Sequence, residues 1–155
     1  MNQPRANPSL LVRVAGVLCA LPLAEVIETM RPLPVEPLAN APGFILGMAC
    51  IRGTAVPVVR LPALFQGDHH GAPLTRFVTL RVGQRCIALA VQSIAGVADL
   101  DEQVFGSLPP LLQSARTEFL QALGTLDAEF LVTLNTARLV PDSVWQTLAA
   151  SRDTR

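Results

Sequence analysis

The chain has few of the residues that nucleic-acid-binding, membrane-spanning and disulfide-linked proteins need. Its 155 residues contain three cysteines, one tryptophan and no tyrosine, and all twelve basic residues are arginine. Twelve acidic residues balance those arginines, so no net field draws the chain to nucleic acid. No apolar run approaches the roughly 18 residues of a membrane span. We therefore expect neither nucleic-acid binding nor direct insertion into a membrane.

The sequence also lacks the usual motifs of catalysis and cofactor binding, such as a nucleophile elbow, a phosphate-binding glycine loop or a zinc helix. The two histidines, His69 and His70, are adjacent and point apart on an extended segment, so they need further ligands to chelate a metal. Asp99 and Glu102 leave open a small enzyme that uses these acids or His69, although a solvated loop explains them more simply. We predict no enzyme, no metal and no cofactor.

The three cysteines are odd in number and lack the spacing of metal ligands. Cys19, Cys50 and Cys86 each stand among apolar neighbours, which predicts three small core residues in a reducing compartment. Burial of Cys50 argues against activation of its thiol by the nearby Arg52.

What the chain does have is a pattern that occurs twice. Residues 12–26 and 80–94 align position by position, with Arg13 on Arg81, and each copy reads as a strand, a tight turn and a second strand. The apolar stretch at 14–24 resembles a secretion signal, but a mature domain would not discard half of its own repeat. We therefore expect both copies to remain in the folded protein.

A weaker echo links residues 55–64 with residues 130–139. Two copies are too few for a solenoid, so the repeat indicates two similar halves of one unit. We predict a single domain over residues 10–140, made of two halves at about 10–66 and 76–140.

Short strands dominate the pattern of hydrophobicity. Apolar residues alternate over 75–82 and again over 85–91, and Gly83 and Gln84 between them fit a two-residue hairpin turn. Thirteen prolines and ten glycines interrupt the other short runs. This punctuation is typical of barrels or sandwiches built from short strands.

Helical spacing is confined to the end of the chain. Apolar residues recur at helical intervals after Pro141, which predicts a short C-terminal helix over 141–150. Residues 1–9 and 151–155 are expected to be flexible tails.

One segment is specific enough to suggest a family. Within residues 47–58 the chain reads Gly-x-x-x-x-Arg-Gly followed by Val-Pro-Val, which closely resembles the signature of the CheW family of chemotaxis coupling proteins. The resemblance extends over about residues 10–140. Further segments resemble the family in order along the chain: residues 20–28, 40–47, 82–85, 96–97, 119–124 and 131–139.

The resemblance implies a mainly β fold of two intertwined five-stranded SH3-like β-barrels with a short C-terminal helix. It implies a non-catalytic adaptor that links the cytoplasmic tips of chemoreceptors, the methyl-accepting chemotaxis proteins, to the histidine kinase CheA. Such an adaptor is cytoplasmic and joins membrane receptor arrays through its partners.

Site residues follow from the same resemblance. It places Arg52 at the centre of a receptor-binding groove, with Val26, Glu28 and Gly47 as neighbours. A glycine at position 47 would let a receptor helix approach closely. The residues alone leave an alternative open, in which Arg52 ends a hairpin and forms an intramolecular salt bridge with Glu28.

The resemblance also implies a kinase-binding surface, matched here by Ala88 and Ile94. The chain departs from the family at Arg60, where an acidic residue is usual, and at Gln92, where aspartate is frequent. These departures leave open a divergent array component of a non-flagellar pathway, controlling surface motility or a second messenger, with altered or lost kinase binding.

Overall fold

The computed structural model describes residues 8–66, 73–100, 105–106 and 120–153. These residues form eleven strands, two helices and two 3-10 turns. The strands are β1 (Pro8–Val14), β2 (Val17–Pro22), β3 (Val26–Met30), β4 (Ile45–Ile51), β5 (Thr54–Arg60), β6 (Arg76–Val82), β7 (Arg85–Val91), β8 (Ser93–Asp99), β9 (Phe105–Gly106), β10 (Leu120–Leu126) and β11 (Glu129–Leu134). The helices are α1 (Ala63–Gln66) and α2 (Asp142–Asp153), and the 3-10 turns are Leu23–Glu25 and Thr136–Arg138.

The strands form two sheets: sheet 1 takes its strands from both ends of the chain, and sheet 2 takes its strands from the part between them. Sheet 1 has the order β8-β1-β2-β11-β10-β9, and sheet 2 has the order β3-β6-β7-β5-β4. Two predicted features, a mainly β fold and two intertwined sheets, are therefore confirmed. Sheet 1 has one strand more than predicted, because the two-residue β9 pairs with β10.

The two sheets repeat each other's pairing. In each sheet an antiparallel hairpin, β1-β2 or β6-β7, continues through a parallel pair, β2 with β11 or β7 with β5. An edge strand, β8 or β3, pairs with the first strand of that hairpin. A register shift in each edge strand leaves one residue without a pairing partner, Ala95 in β8 and Ile27 in β3.

Two-residue turns join four of the hairpins. Both turn residues have positive φ in three of them, the conformation that matches the twist of the flanking strands. These turns are Ala15-Gly16 between β1 and β2, Arg52-Gly53 between β4 and β5, and Asp127-Ala128 between β10 and β11; Gly83-Gln84 joins β6 to β7 with positive φ at the glycine.

Both faces of each sheet are covered by apolar side chains, which explains why many strands lack strict alternation. The largest cluster takes residues from both sheets, for example Val12 and Leu21 of sheet 1 and Leu80 and Leu89 of sheet 2. The second cluster, on the other face of sheet 2, contains Ala49, Ile51, Val56, Val58, Phe77, Ala88 and Ala90. The third, built on sheet 1, contains Leu11, Leu18, Ala20, Leu100 and Leu131.

Helix α2 packs on the largest cluster through the buried Val144 and Leu148. The guanidinium carbon of Arg85, just after the β6-β7 turn, lies 4.6 Å from the centre of the Trp145 ring. The C-terminal helix is thereby attached to sheet 2 by both a hydrophobic and a cation–π contact.

Two predicted boundaries need correction. Residues 8 and 9 were expected in a flexible tail, but they pair with β8, and Ser9 is buried. Helix α2 is described as far as Asp153 and so extends past the predicted residue 150, since no glycine or proline follows Leu148 to stop it. The division into halves at 10–66 and 76–140 stays a prediction.

Candidate functional site

Arg52 stands at the exposed end of the β4-β5 hairpin. Its φ of 51° and the φ of 77° at Gly53 place both turn residues in the left-handed region. Arginine is unusual in that conformation, which favours glycine, asparagine and aspartate. The strained turn projects the Arg52 side chain away from the core, and 77% of that side chain is exposed.

The guanidinium of Arg52 makes a bidentate pair with the carboxylate of Glu28 on β3. Nε donates to Oε1 at 2.8 Å, and Nη2 donates to Oε2 at 2.7 Å. These hydrogen bonds lower the pKa of Glu28 from its ordinary value and raise that of Arg52. The intramolecular pair left open by the sequence is therefore present in the structure.

This pair joins the two edges of sheet 2. Strand β3 is one edge strand, and β4, which leads into the Arg52 turn, is the other. A direct contact between them requires the sheet to curl on itself. The pair still leaves the Nη1 amino group and one Nη2 hydrogen of Arg52 outside the bond to Glu28. Arg52 can thus be held by Glu28 and contact a second acceptor at the same time.

A buried hydroxyl fixes the backbone beside Glu28. The backbone N–H of Glu28 donates to Oγ1 of Thr79 at 3.2 Å, and that hydroxyl donates to the carbonyl of Glu28, also at 3.2 Å. The side chain of Thr79 is 1% exposed. This role of Thr79 was not predicted, although a single hydroxyl within the otherwise apolar stretch Phe77–Leu80 is a usable signal.

Val26 and Ile27 provide apolar surface next to the ion pair. Val26 is half-buried against the largest core cluster. Ile27 is the unpaired residue of the β3 register shift, and 47% of it is exposed. The site therefore combines a cation with an exposed hydrophobic side chain; sequence reasoning found Arg52 and Val26 but missed Ile27.

Arg81 and Cys86 face each other across the β6-β7 hairpin near the same carboxylate. They are register partners at its end. Burial is the main cause that raises the pKa of the Cys86 thiol; the charge of Arg81 opposes the shift and that of Glu28 adds to it. Arg81 itself is exposed.

Gly47 has a different surrounding from the one expected. It is buried in β4 with a φ of 141°, and a Cβ there would overlap the carbonyl oxygen of Glu36 and lie 2.8 Å from Cα of Pro37. Glu36 is held in place by two backbone hydrogen bonds with Met48, each 2.8 Å long. The space that was expected to admit a receptor helix is filled by the chain's own proline-rich segment.

The cysteines also differ from expectation. Cys19 is buried, and burial raises its pKa. Cys50, expected in the core, is exposed, because strand alternation turns it away from the buried Ala49 and Ile51 at the end of β4. Cys86 is half-buried.

The two residues expected at a kinase surface lie in different environments. Ala88 has no exposed surface and belongs to the second cluster of sheet 2. Its side chain is therefore not available to a partner. Ile94 is half-buried in β8 against the largest cluster. The neighbouring Val97 on β8 is 59% exposed.

The remaining candidates do not form a polar site. Asp99 is exposed at the end of β8, while His69, His70 and Glu102 lie outside the described residues. Among the residues that the structure describes, no group of three histidine, cysteine or acidic side chains could hold a metal ion. In the same part of the chain, no helix is both long and apolar enough to cross a membrane.

The two departures from the family pattern lie at strand ends. Arg60 ends β5, and its backbone N–H donates to the carbonyl of Phe44 at 2.7 Å. The backbone N–H of Gln92 donates to the carbonyl of Arg13 at 3.1 Å, which ties the end of β7 to β1.

Two intertwined β-sheets with an exposed hairpin arginine define a mainly β protein whose distinctive surface is a side-chain cluster rather than a polar cleft. The family model of the CheW-like domain matches residues 8–144. The chain therefore belongs to the CheW-like family.

Individual relatives agree with this assignment. The chain is 30% identical over 108 residues to the chemotaxis protein CheW of Klebsiella aerogenes, an alignment that covers 68% of this chain and 64% of that relative. The crystal structure of the scaffolding protein TtCheW from Thermoanaerobacter tengcongensis has a similar fold, with a TM-score of 0.72 at 21% identity. That match covers 84% of this chain and 89% of the other.

Proposed function

We propose that the chain is a non-catalytic cytoplasmic scaffold that couples the cytoplasmic tips of chemoreceptors to the histidine kinase CheA. Membership of the CheW-like family supports this role, as do relatives described as a chemotaxis protein and a scaffolding protein. The site is consistent with binding, since it offers hydrogen-bond donors and apolar surface but no pair of acid and base at a cleft.

The exposed, bidentately held guanidinium of Arg52 is the observation on which the receptor contact rests. A planar guanidinium presents several donors in a fixed orientation and suits carboxylates or backbone carbonyls at a helix end. Because Glu28 already orders the side chain, less conformational entropy is lost when a receptor binds. Glu28 therefore acts as the residue that orients Arg52, and Val26 and Ile27 supply apolar contact beside it.

Replacing Arg52 by alanine tests this contact. We expect Arg52→Ala to fold normally and to lose most co-sedimentation with a soluble receptor cytoplasmic fragment. Arg13→Ala is the matched control, since Arg13 is also exposed and makes a bidentate pair, with Glu129. Equal receptor affinity for both variants and the unchanged chain would refute the role of Arg52.

The kinase contact is proposed on β8, where Ile94 is half-buried and Val97 exposed. Ala88 cannot contribute directly, because its side chain has no exposed surface. A pull-down with the isolated regulatory domain of CheA should retain the chain. Replacement of Val97 by glutamate should abolish that retention while leaving receptor binding intact.

A second candidate function is a divergent array component that binds receptors without the kinase, in a pathway controlling surface motility or a second messenger. The buried Ala88 and the cationic Arg60, in place of the acid usual in the family, favour it. Receptor binding by the unchanged chain with no retention by the CheA regulatory domain would select this function over the coupling role.

A further inference from the structure

The balanced net charge of the chain conceals a separation of charge between the two sheets. The strands and hairpin turns of sheet 2 carry five arginines and one carboxylate: Arg52, Arg60, Arg76, Arg81 and Arg85 against Glu28. Those of sheet 1 carry one arginine and three carboxylates: Arg13 against Asp99, Asp127 and Glu129. Three of these arginines, Arg52, Arg81 and Arg85, are exposed at or next to the hairpin turns, so the turn end of sheet 2 is cationic.

Arg13 and Arg81 occupy corresponding positions but differ in their partners. Each is the last residue but one of the first hairpin strand of its sheet. Arg13 is neutralised by Glu129, with Nη1 to Oε1 at 2.8 Å and Nη2 to Oε2 at 3.4 Å. Among the described residues, Arg81 makes no such ion pair.

Arg81 lacks such a pair because the strand that would supply the carboxylate, β5 in sheet 2 and β11 in sheet 1, begins with a different residue in each sheet. Glu129 is the first residue of β11, and Thr54 is the first residue of β5, its counterpart in sheet 2. Threonine supplies no charge to neutralise Arg81. Within the described part of the chain, the exposed guanidinium of Arg81 therefore has no carboxylate paired with it.

Arg81 also lies beside the proposed receptor contact. Strands β5 and β7 run parallel, so the turns at Arg52 and Gly83, which precede them, lie at the same end of sheet 2. The thiol of Cys86 is close enough to both Arg81 and Glu28 to respond to their charges. Glu28, which binds Arg52, lies opposite Thr79 on β6, two residues before Arg81, so both arginines stand near Glu28 at this end of sheet 2.

We propose that Arg81 is a second receptor-contacting cation and that the receptor segment bound here presents a carboxylate to it. The inference rests on the proposed function and adds the chemistry of the partner. The charge of Arg52 is balanced by Glu28, so Arg52 contributes mainly hydrogen-bond geometry. Arg81, which has no ion-pair partner among the described residues, contributes its positive charge. A carboxylate is the partner that such a guanidinium binds in a bidentate manner.

Neutralisation of each arginine in turn tests the proposal. The affinity of the unchanged chain, Arg81→Gln and Arg13→Gln for a receptor cytoplasmic fragment is measured by calorimetry at several sodium chloride concentrations. We expect Arg81→Gln to weaken binding about tenfold at low salt, as for loss of a hydrogen bond to a charged group. Its affinity should also depend less steeply on salt, while Arg13→Gln should match the unchanged chain in both respects.

The outcomes separate this inference from the function on which it rests. If the unchanged chain binds the fragment and Arg81→Gln binds equally well with the same salt dependence, Arg81 is not a contact, although the scaffold role stands. If the unchanged chain does not bind the fragment, both proposals fail. An equal loss in Arg81→Gln and Arg13→Gln would also overturn the proposal, because Arg13 belongs to the other sheet.

Discussion

The two sheets repeat the same strand pairings, but they carry different charged residues at their hairpin ends. In the described part of the chain, each sheet carries a bidentate ion pair at its hairpin end, but the two pairs use non-corresponding positions. In sheet 1, Arg13 of the first hairpin strand binds Glu129 of β11. In sheet 2, Arg52 of a turn binds Glu28 of the edge strand.

The corresponding residues show how the difference arises. Asp127, with a φ of 50°, occupies the turn position of sheet 1 that Arg52 occupies in sheet 2 with a φ of 51°. Gly96 follows the unpaired residue of β8 as Glu28 follows that of β3. Sheet 1 therefore has a carboxylate where sheet 2 has its cation, and no charge where sheet 2 has Glu28. The two sheets share one backbone arrangement, and we infer that the side chains at their hairpin ends decide which sheet binds a partner.

The largest effect on stability is expected at Gly47 in β4, which is covered by the backbone of Glu36 and Pro37. Gly47→Ala should lower the free energy of unfolding by about 3 kcal/mol, since its Cβ would overlap the Glu36 carbonyl at a φ that disfavours side chains. Gly96→Ala in sheet 1 is the control, because its φ is 145° and no atom lies within 4 Å of the added Cβ. That substitution should cost only the backbone strain, about 1–2 kcal/mol.

Urea denaturation of both variants measures this difference. Equal losses for Gly47→Ala and Gly96→Ala would mean that the 36–37 segment does not press on β4. Gly47 would then be open to a receptor helix, as the sequence led us to expect.

A smaller effect is expected at the hydroxyl that supports Glu28. Thr79→Val should destabilise the protein by about 1–2 kcal/mol, because the Glu28 amide and carbonyl lose their side-chain partner in a buried position. Sheet 1 has Leu11 at the corresponding position, paired with Gly96. Amide hydrogen exchange should show faster exchange at Glu28.

Thr79→Ser provides the control for this site, since it keeps the hydroxyl and removes only the methyl group. Protection of the Glu28 amide should survive in that variant. Loss of protection in Thr79→Ser equal to that in Thr79→Val would assign the effect to packing instead of hydrogen bonding.

The smallest effect is the pH dependence of the Arg52–Glu28 pair. The pKa of Glu28 is lowered in the folded state, so the pair's contribution to stability is fully present above the ordinary glutamate value of about 4.3. It is lost as the pH falls through the lowered value. Carboxyl NMR titration should place the Glu28 pKa below the ordinary range and return it toward that range in Arg52→Ala. An unchanged Glu28 pKa in Arg52→Ala would show that the pair is absent in solution.

Much of the strand pattern could be predicted from local sequence. The predicted strands at 75–82 and 85–91 correspond to β6 and β7, and the turn at Gly83-Gln84 is where the pattern placed it. Arg52 was expected outside the core, either at a hairpin end or facing a partner, because it is a cation next to glycine between two apolar runs. These features depend on neighbours along the chain, which a sequence displays directly.

Other features depend on contacts between distant segments. The apolar context of Cys50 suggested burial, but its exposure depends on where β4 ends relative to the core. Gly47 looked like an open site until the backbone at Glu36 was seen against it. The role of Thr79 depends on the register shift in β3, and no local pattern predicts such a shift.

The central claim is that the Arg52 end of sheet 2, and not the Arg13 end of sheet 1, contacts the receptor. NMR titration of the isotope-labelled chain with a receptor cytoplasmic fragment tests it directly. We predict that amide shifts concentrate at Glu28, Arg52 and Arg81 and spare Gly16 and Asp127. Shifts at Gly16 and Asp127 with unperturbed signals at Arg52 would contradict the account.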